Sequence, residues 1–221
     1  MIFIIHIFNF ISFEAVQYSI FSFNYCLILS NNFAVYERSF TETDTSVEHG
    51  FKPFEVEAQK ILDHKSLSES KSLALDMLRS DYYQVRCCAI FILGFIAARD
   101  STVLLLLKNT ARSDESWQVQ EIIAKAFDQY CKDTGYENSL PEIKTWLGDK
   151  HPNVCRAVTE GLRIWTGRSY FKTHPEVAIE LISQHKSSDS EYLRKSVGNS
   201  LRDISKKYGE LVENEISKWD L

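Results

Sequence analysis

The stretch Ser116-Trp117-Gln118-Val119-Gln120-Glu121-Ile122-Ile123-Ala124-Lys125-Ala126-Phe127-Asp128-Gln129-Tyr130 carries Val119, Ile123, Phe127 and Tyr130 at steps of 4, 4 and 3 residues. That spacing lines one face of an α-helix, which turns once in about 3.6 residues. The same register begins again at Val85 (Ala89, Leu93, Ile96), at Val154 (Val158, Leu162, Trp165) and at Leu193 (Val197, Leu201, Ile204). The anchors stand 34, 35 and 39 residues apart, a period of helix-pair repeats rather than of a bundle.

Shorter helices are expected between the anchored ones, over about 66–79, 100–110, 140–148 and 174–186, and Pro53 opens a further one through about Leu62. Ser80-Asp81, Ser113-Asp114, Gly148-Asp149 and Ser188-Asp189 precede the anchored helices and offer capping side chains. Gly135, Gly167 and Gly209 fall where helices should stop. Strand signals are nearly absent. The expected fold is all-α: a HEAT-like helical repeat solenoid, a right-handed superhelix of paired antiparallel helices with one concave face, over residues 51–221.

Beside the apolar stripe runs a second periodic set. Two residues after each anchor come Cys87, Glu121, Arg156 and Lys195, and nine after come Gly94, Asp128, Arg163 and Arg202. The two offsets differ by seven residues, or about two helical turns, so they point the same way. The row turns basic toward its C-terminal end. Glu121 interrupts it with an acid, and Trp117 lies one turn earlier on the same helix.

The overall charge of -5 argues against a generic polyanion binder, but it averages two unlike parts. Residues 1–149 hold 13 Lys/Arg against 20 Asp/Glu, whereas residues 150–221 hold 12 against 10, so an anion-binding surface belongs in the last third. Cys26, Cys87, Cys88, Cys131 and Cys155 form an odd set without paired spacing, which indicates neither a disulfide framework nor a zinc site. Their apolar neighbours suit reduced, buried thiols of a cytoplasmic protein. No histidine stands at ligand spacing in a metal-binding context, and no metal or cofactor is expected.

Residues 1–36 carry Glu14 as their sole charged residue and no Lys or Arg, so the positive region of a signal peptide is missing. Asn9, Ser12, Gln17, Ser19, Ser22 and Asn24 interrupt the apolar run and weigh against a membrane span, although about 20 mostly apolar residues suffice for one. A helix covering the end of the array and an extension upstream of the fold are the other readings. Residues 39–50, rich in Thr, Glu and Ser, read as a linker, which divides the chain into an apolar extension with its linker, 1–50, and a repeat domain, 51–221.

Common catalytic signatures are missing: there is no phosphate-cradling glycine loop, no glycine-flanked nucleophilic serine and no paired-histidine metal motif. The chemistry must reside in the polar row. The stretch 116–128, followed by His151-Pro152-Asn153-Val154-Cys155-Arg156 through Arg163 and by Tyr192-Leu193-Arg194-Lys195 through Ile204, resembles the bacterial DNA alkylation repair family of the AlkC/AlkD type, over about residues 55–218. The resemblance implies a HEAT-like solenoid of DNA glycosylases. It also implies that Trp117 and Glu121 are the tryptophan and carboxylate that face the DNA backbone beside a damaged nucleotide, and that Arg156 contacts that backbone. Glu121 stands where the best-known members carry Asp, one methylene shorter. A second tryptophan of the active alkylpurine enzymes aligns with Asn199, which leaves that aromatic wall missing.

The residues make a physical case of their own. A purine quaternised on its ring is a cation and a good leaving group, so its removal chiefly requires stabilisation of the cationic sugar that develops as the bond breaks. A carboxylate at Glu121 supplies that charge and can orient a water, and the Trp117 indole attracts positive charge through its face. Arg156, Arg163, Lys195 and Arg202 then hold phosphates, with Asn199 in the gap between them. The plainer alternatives are a surface ion pair from Glu121 to Lys125 and a Trp117 that caps the core, while Trp165, at a core offset, is structural. Glu160 and Asp203 dilute the basic patch. The expected partner is double-stranded DNA, alkylated DNA included, bound by a monomer. A non-catalytic reader of DNA shape and a protein–protein scaffold are the alternatives.

Overall fold

The computed structural model describes residues 50–219. The readings made for residues 1–36, for the linker and for Cys26 lie outside the described residues. Within them, every regular element is helical: α1 (Lys52–His64), α2 (Leu67–Met77), α3 (Tyr83–Ile96), α4 (Thr102–Ser113), α5 (Trp117–Thr134), α6 (Leu140–Leu147), α7 (Pro152–Gly161), a 3-10 turn at Trp165–Gly167, α8 (Ser169–Thr173), α9 (Pro175–Ser183) and α10 (Glu191–Ile216). Helices α1, α3, α5, α7 and α10 pack side by side in one row. Behind them, α2 packs on α3, α4 on α5 and α7, α6 on α7, and α9 on α10.

The apolar register explains this layering. Of the aligned positions all are buried except Tyr130, which is half-buried, so the inner helices turn their stripes toward the second layer. Each Leu, Val, Ile or Phe so buried contributes about 1.5–3 kcal/mol before entropy is counted. Trp146 packs on Phe127 with ring centroids 4.5 Å apart, and Trp165 packs on Phe171 at 5.0 Å. Trp165 also donates its indole N–H to the Thr159 carbonyl at 3.1 Å, so it is a core residue.

Local signals fix the helix ends. Pro53, Pro141, Pro152 and Pro175 stand in first turns, and Ser66 and Glu69 form a reciprocal capping box. The caps of three anchored helices sit nearer the helix than the sequence suggested, and α3, expected to be capped from Ser80-Asp81, has no side-chain cap. Ser116, His151 and Ser190 accept the first-turn N–H groups of α5, α7 and α10. Asp114 and Asp149 instead accept the N–H of Ser116 and His151 and fasten the loops. Arg86 of α3 reaches Asp114 at 2.7 Å and Arg112 of α4 reaches Asp149, so each loop is tied to an earlier helix. Gly135 caps α5 with a φ of 91°, a conformation that favours glycine. Gly167 lies instead in the 3-10 turn, and Gly209 follows a kink at Tyr208 within α10.

The inner row is held together at two close approaches. A Cβ on Gly94 of α3 would stand 2.8 Å from the Ala126 Cβ, and one on Gly161 of α7 would stand 2.3 Å from the Ala124 carbonyl oxygen. Sequence reading put Cys87 and Gly94 in the polar row. Both are buried, because α3 is enclosed by α1, α2 and α5.

Candidate functional site

Trp117, Glu121, Lys125 and Asp128 succeed one another at steps of 4, 4 and 3 residues along α5, on the face turned away from the second layer. Ser116 caps this helix, its Oγ accepting from the Val119 N–H at 3.5 Å, and so fixes where Trp117 enters the first turn. The indole is 60% exposed.

The Glu121 carboxylate is half-buried and accepts a hydrogen bond from Arg156 Nη2 at 2.7 Å. Its partner is therefore an arginine from the next helix of the row, not the Lys125 of its own helix. Both residues follow their anchors by two positions, and side-by-side packing of α5 on α7 brings equal offsets together. Lys125 instead places its ammonium 5.9 Å from the centre of the Phe51 ring, and Phe51 meets Trp117 edge-on. A hollow of about 410 Å³ opens beside these residues over α3, α5 and the end of α7, with Glu121, Lys125, Asp128, Arg163 and Arg168 on its walls.

At the far end of the hollow Asp128 binds Arg168 Nη2 at 2.8 Å and accepts the Tyr136 hydroxyl at 3.0 Å. Burial pushes the Asp128 carboxyl above its usual range even though Arg168 and Tyr136 favour its charged form. The same Arg168 nitrogen also donates to the Gly161 and Arg163 carbonyls, which fastens the chain leaving α7. Sequence reading assigned no role to Arg168 or Phe51. Neither belongs to the periodic register, so only the folded packing reveals them.

The basic positions behave differently from one another. Because α7 ends at Gly161, Arg163 is not on a continuous helix face with Arg156; it lies beyond the helix and pairs with Asp203 at 2.7 Å and Glu160 at 3.5 Å. Lys206 and Arg163 together hold the Asp203 carboxyl below its usual range. Lys195 pairs with Glu191 on its own helix at 2.7 Å, and both are exposed. Arg202 donates to the Asn199 amide oxygen at 3.2 Å. Glu121 and Trp117 share α5, Arg156 joins them across the row, and Lys195, Asn199 and Arg202 stand together on α10.

Among the described residues no cluster of His, Cys, Asp and Glu is arranged to hold a metal ion, and no helix is long and apolar enough to cross a membrane. Cys87, Cys88, Cys131 and Cys155 are buried and free, and burial pushes the Cys87 and Cys131 thiols up to about 12 and Cys155 up to about 11. These thiols are protonated at neutral pH and supply no nucleophile.

Residues 43–218 match the family model described as DNA alkylation repair enzyme. The chain belongs to that family. It is 43% identical to AlkD2 from Streptococcus mutans, whose crystal structure superposes with a TM-score of 0.82 over 87% of this chain and 91% of that one. The protein smu.31 from Streptococcus mutans UA159 is 40% identical over the same shares of each chain, with a TM-score of 0.81. The family's architecture is a HEAT-like helical repeat, as the register of the inner helices required. An uncharacterized protein of Bacillus subtilis (strain 168), YhaZ, is 30% identical over 87 residues, 38% of this chain. That match spans about a quarter of the length of YhaZ, 24%. Family membership gives this chain a role in DNA alkylation repair.

Proposed function

We propose that the protein binds alkylated duplex DNA along the open face of its inner helix row and hydrolyses the N-glycosidic bond of alkylated purines. The observation that carries the reading is the Glu121 carboxylate, half-buried at the rim of a hollow beside an exposed indole and held by a cation from the next repeat. A carboxylate in that setting can face the positive charge that spreads over the sugar as the base departs, and can orient the water that attacks it. Trp117 meets the lesion or its sugar. Arg156, Arg163, Lys195 and Arg202 contact phosphates, with Asn199 beside Arg202. The reaction is a hydrolysis and needs no metal or cofactor.

A specific observation also favours non-catalytic recognition of DNA structure: Glu121 is already engaged by Arg156, and Asn199 brings no aromatic face to the site. Incubation with methylated duplex DNA separates the two readings. Free alkylpurine detected by mass spectrometry, and abolished in Glu121→Gln while duplex binding persists, is the expected result. Binding without release of any base in the wild-type protein overturns the enzymatic reading and leaves the structural one.

A further inference from the structure

Phe51 immediately precedes α1, and its ring stands edge-on to the Trp117 indole, with centroids 6.3 Å apart and planes at 72°. The two rings make a corner at the open face of α5. The Lys125 ammonium lies 5.9 Å from the Phe51 centroid, and among the described residues Lys125 makes no ion pair. Lys125 follows Glu121 by one turn, the favourable order for an ion pair, yet the carboxylate takes Arg156 and the ammonium takes the ring. The corner therefore already holds a cation, supplied by the protein itself.

We infer that Phe51 is a specificity-determining residue, which forms with Trp117 an aromatic corner for the positively charged ring of an alkylated purine, and that Lys125 occupies the cation position of that corner until such a base arrives. The inference rests on the reading of the site as one for alkylated DNA and names the group that senses the charge of the lesion. The quadrupole of an aromatic face attracts a quaternised purine and not its neutral isostere. Asn199 has no such face, and its amide oxygen is taken by Arg202 on the same helix, whereas Phe51 brings a ring from the cap of α1 at the other end of the inner row. On binding, the Lys125 side chain leaves the ring and its ammonium is free to meet a phosphate, so the like charge does not remain against the base.

Two duplexes of one sequence test this with the full chain. One carries 7-methylguanine on a 2′-fluoroarabinose, which keeps the cation and resists depurination, and the other carries neutral 7-methyl-7-deazaguanine of the same shape. Affinity is read by fluorescence anisotropy at fixed salt, after circular dichroism has verified that each variant is folded. The wild-type protein should prefer the cationic duplex by about two- to fivefold, the size of an exposed cation–π contact. Phe51→Leu should bring that ratio toward one, Phe51→Trp should keep it, and Lys125→Met should raise it. A wild-type ratio of one, or a ratio that survives in Phe51→Leu, overturns the role of Phe51. No bond is cleaved in this assay, so it is independent of whether the protein excises bases. Base release without a charge preference sinks the aromatic corner alone, while failure to bind either duplex removes the reading on which it rests.

Discussion

Glu121 and Arg156 were assigned opposite partners from sequence, a sugar cation and a phosphate, and the folded chain joins them to each other at 2.7 Å. The repeat register made the pair foreseeable, since equal offsets on adjacent inner helices become neighbours. Lys125 is the alternative partner that the sequence offers, because an i to i+4 contact is visible within one helix, whereas a contact across the row exists only once stacking is fixed. Phe51 was illegible for the same reason. A half-exposed pair is worth about 0.2–1 kcal/mol, so Arg156→Gln should shift the urea midpoint only slightly. Duplex affinity of that variant should fall severalfold. Glu121→Gln should behave oppositely: it releases Arg156 to meet phosphate, so duplex binding should equal or exceed that of the wild type. Base release should drop by about 100-fold or more, the scale seen when a group that stabilises a transition-state charge is removed. Weaker duplex binding by Glu121→Gln would show that the carboxylate serves to position Arg156 rather than to compete for it.

At the scale of helices, the apolar stripe was readable because burial imposes a period, but close approach leaves no period to read. Gly94 shares the offset of the polar row and Gly161 shares neither offset, yet these two residues let α3, α5 and α7 approach closely. Gly161→Ala puts a methyl group 2.3 Å from a backbone carbonyl of α5 that cannot rotate away. Overpacking of this kind costs about 1–3 kcal/mol, and equilibrium urea unfolding should record a loss in that range or above it. The ion pairs between elements carry a pH dependence. Bonds from Lys71 and Thr102 hold the Asp100 carboxyl at about 2, below its ordinary 3.8, and Lys206 and Arg163 lower Asp203. A depressed folded value means that the stabilisation is present above the unfolded value and is lost as pH falls through the folded one. Thermal stability should therefore decline between about pH 4 and pH 2, and Asp100→Asn should flatten that decline. An unchanged acid profile in Asp100→Asn would assign the decline to other carboxylates.

Across the whole molecule, composition showed correctly that the last third carries the positive excess, but charge counts do not reveal how cations are spent. Arg156, Arg163 and Lys195 each begin with a carboxylate partner, Glu121, Asp203 and Glu191, and Arg202 rests on the Asn199 amide. To grip DNA, three of these cations must trade carboxylate for phosphate. That exchange lowers affinity at every salt concentration. It does not flatten the salt dependence, because the ions released on binding come from the DNA and their number follows the phosphates neutralised. For about 4–6 phosphates, log affinity should fall against log salt with a slope near -4 to -5 between roughly 50 and 200 mM. Asp203→Asn should raise the affinity at each concentration and keep the slope, since it removes the shorter of the two carboxylate contacts of Arg163, leaving Glu160, and adds no phosphate contact. Arg202→Ala should lower affinity and reduce the slope by about one, the loss of a single phosphate contact. Anisotropy titrations across the salt series read both quantities together. A slope near zero in the wild-type protein removes the phosphate-binding role of the row and leaves the helical repeat as a surface for another protein.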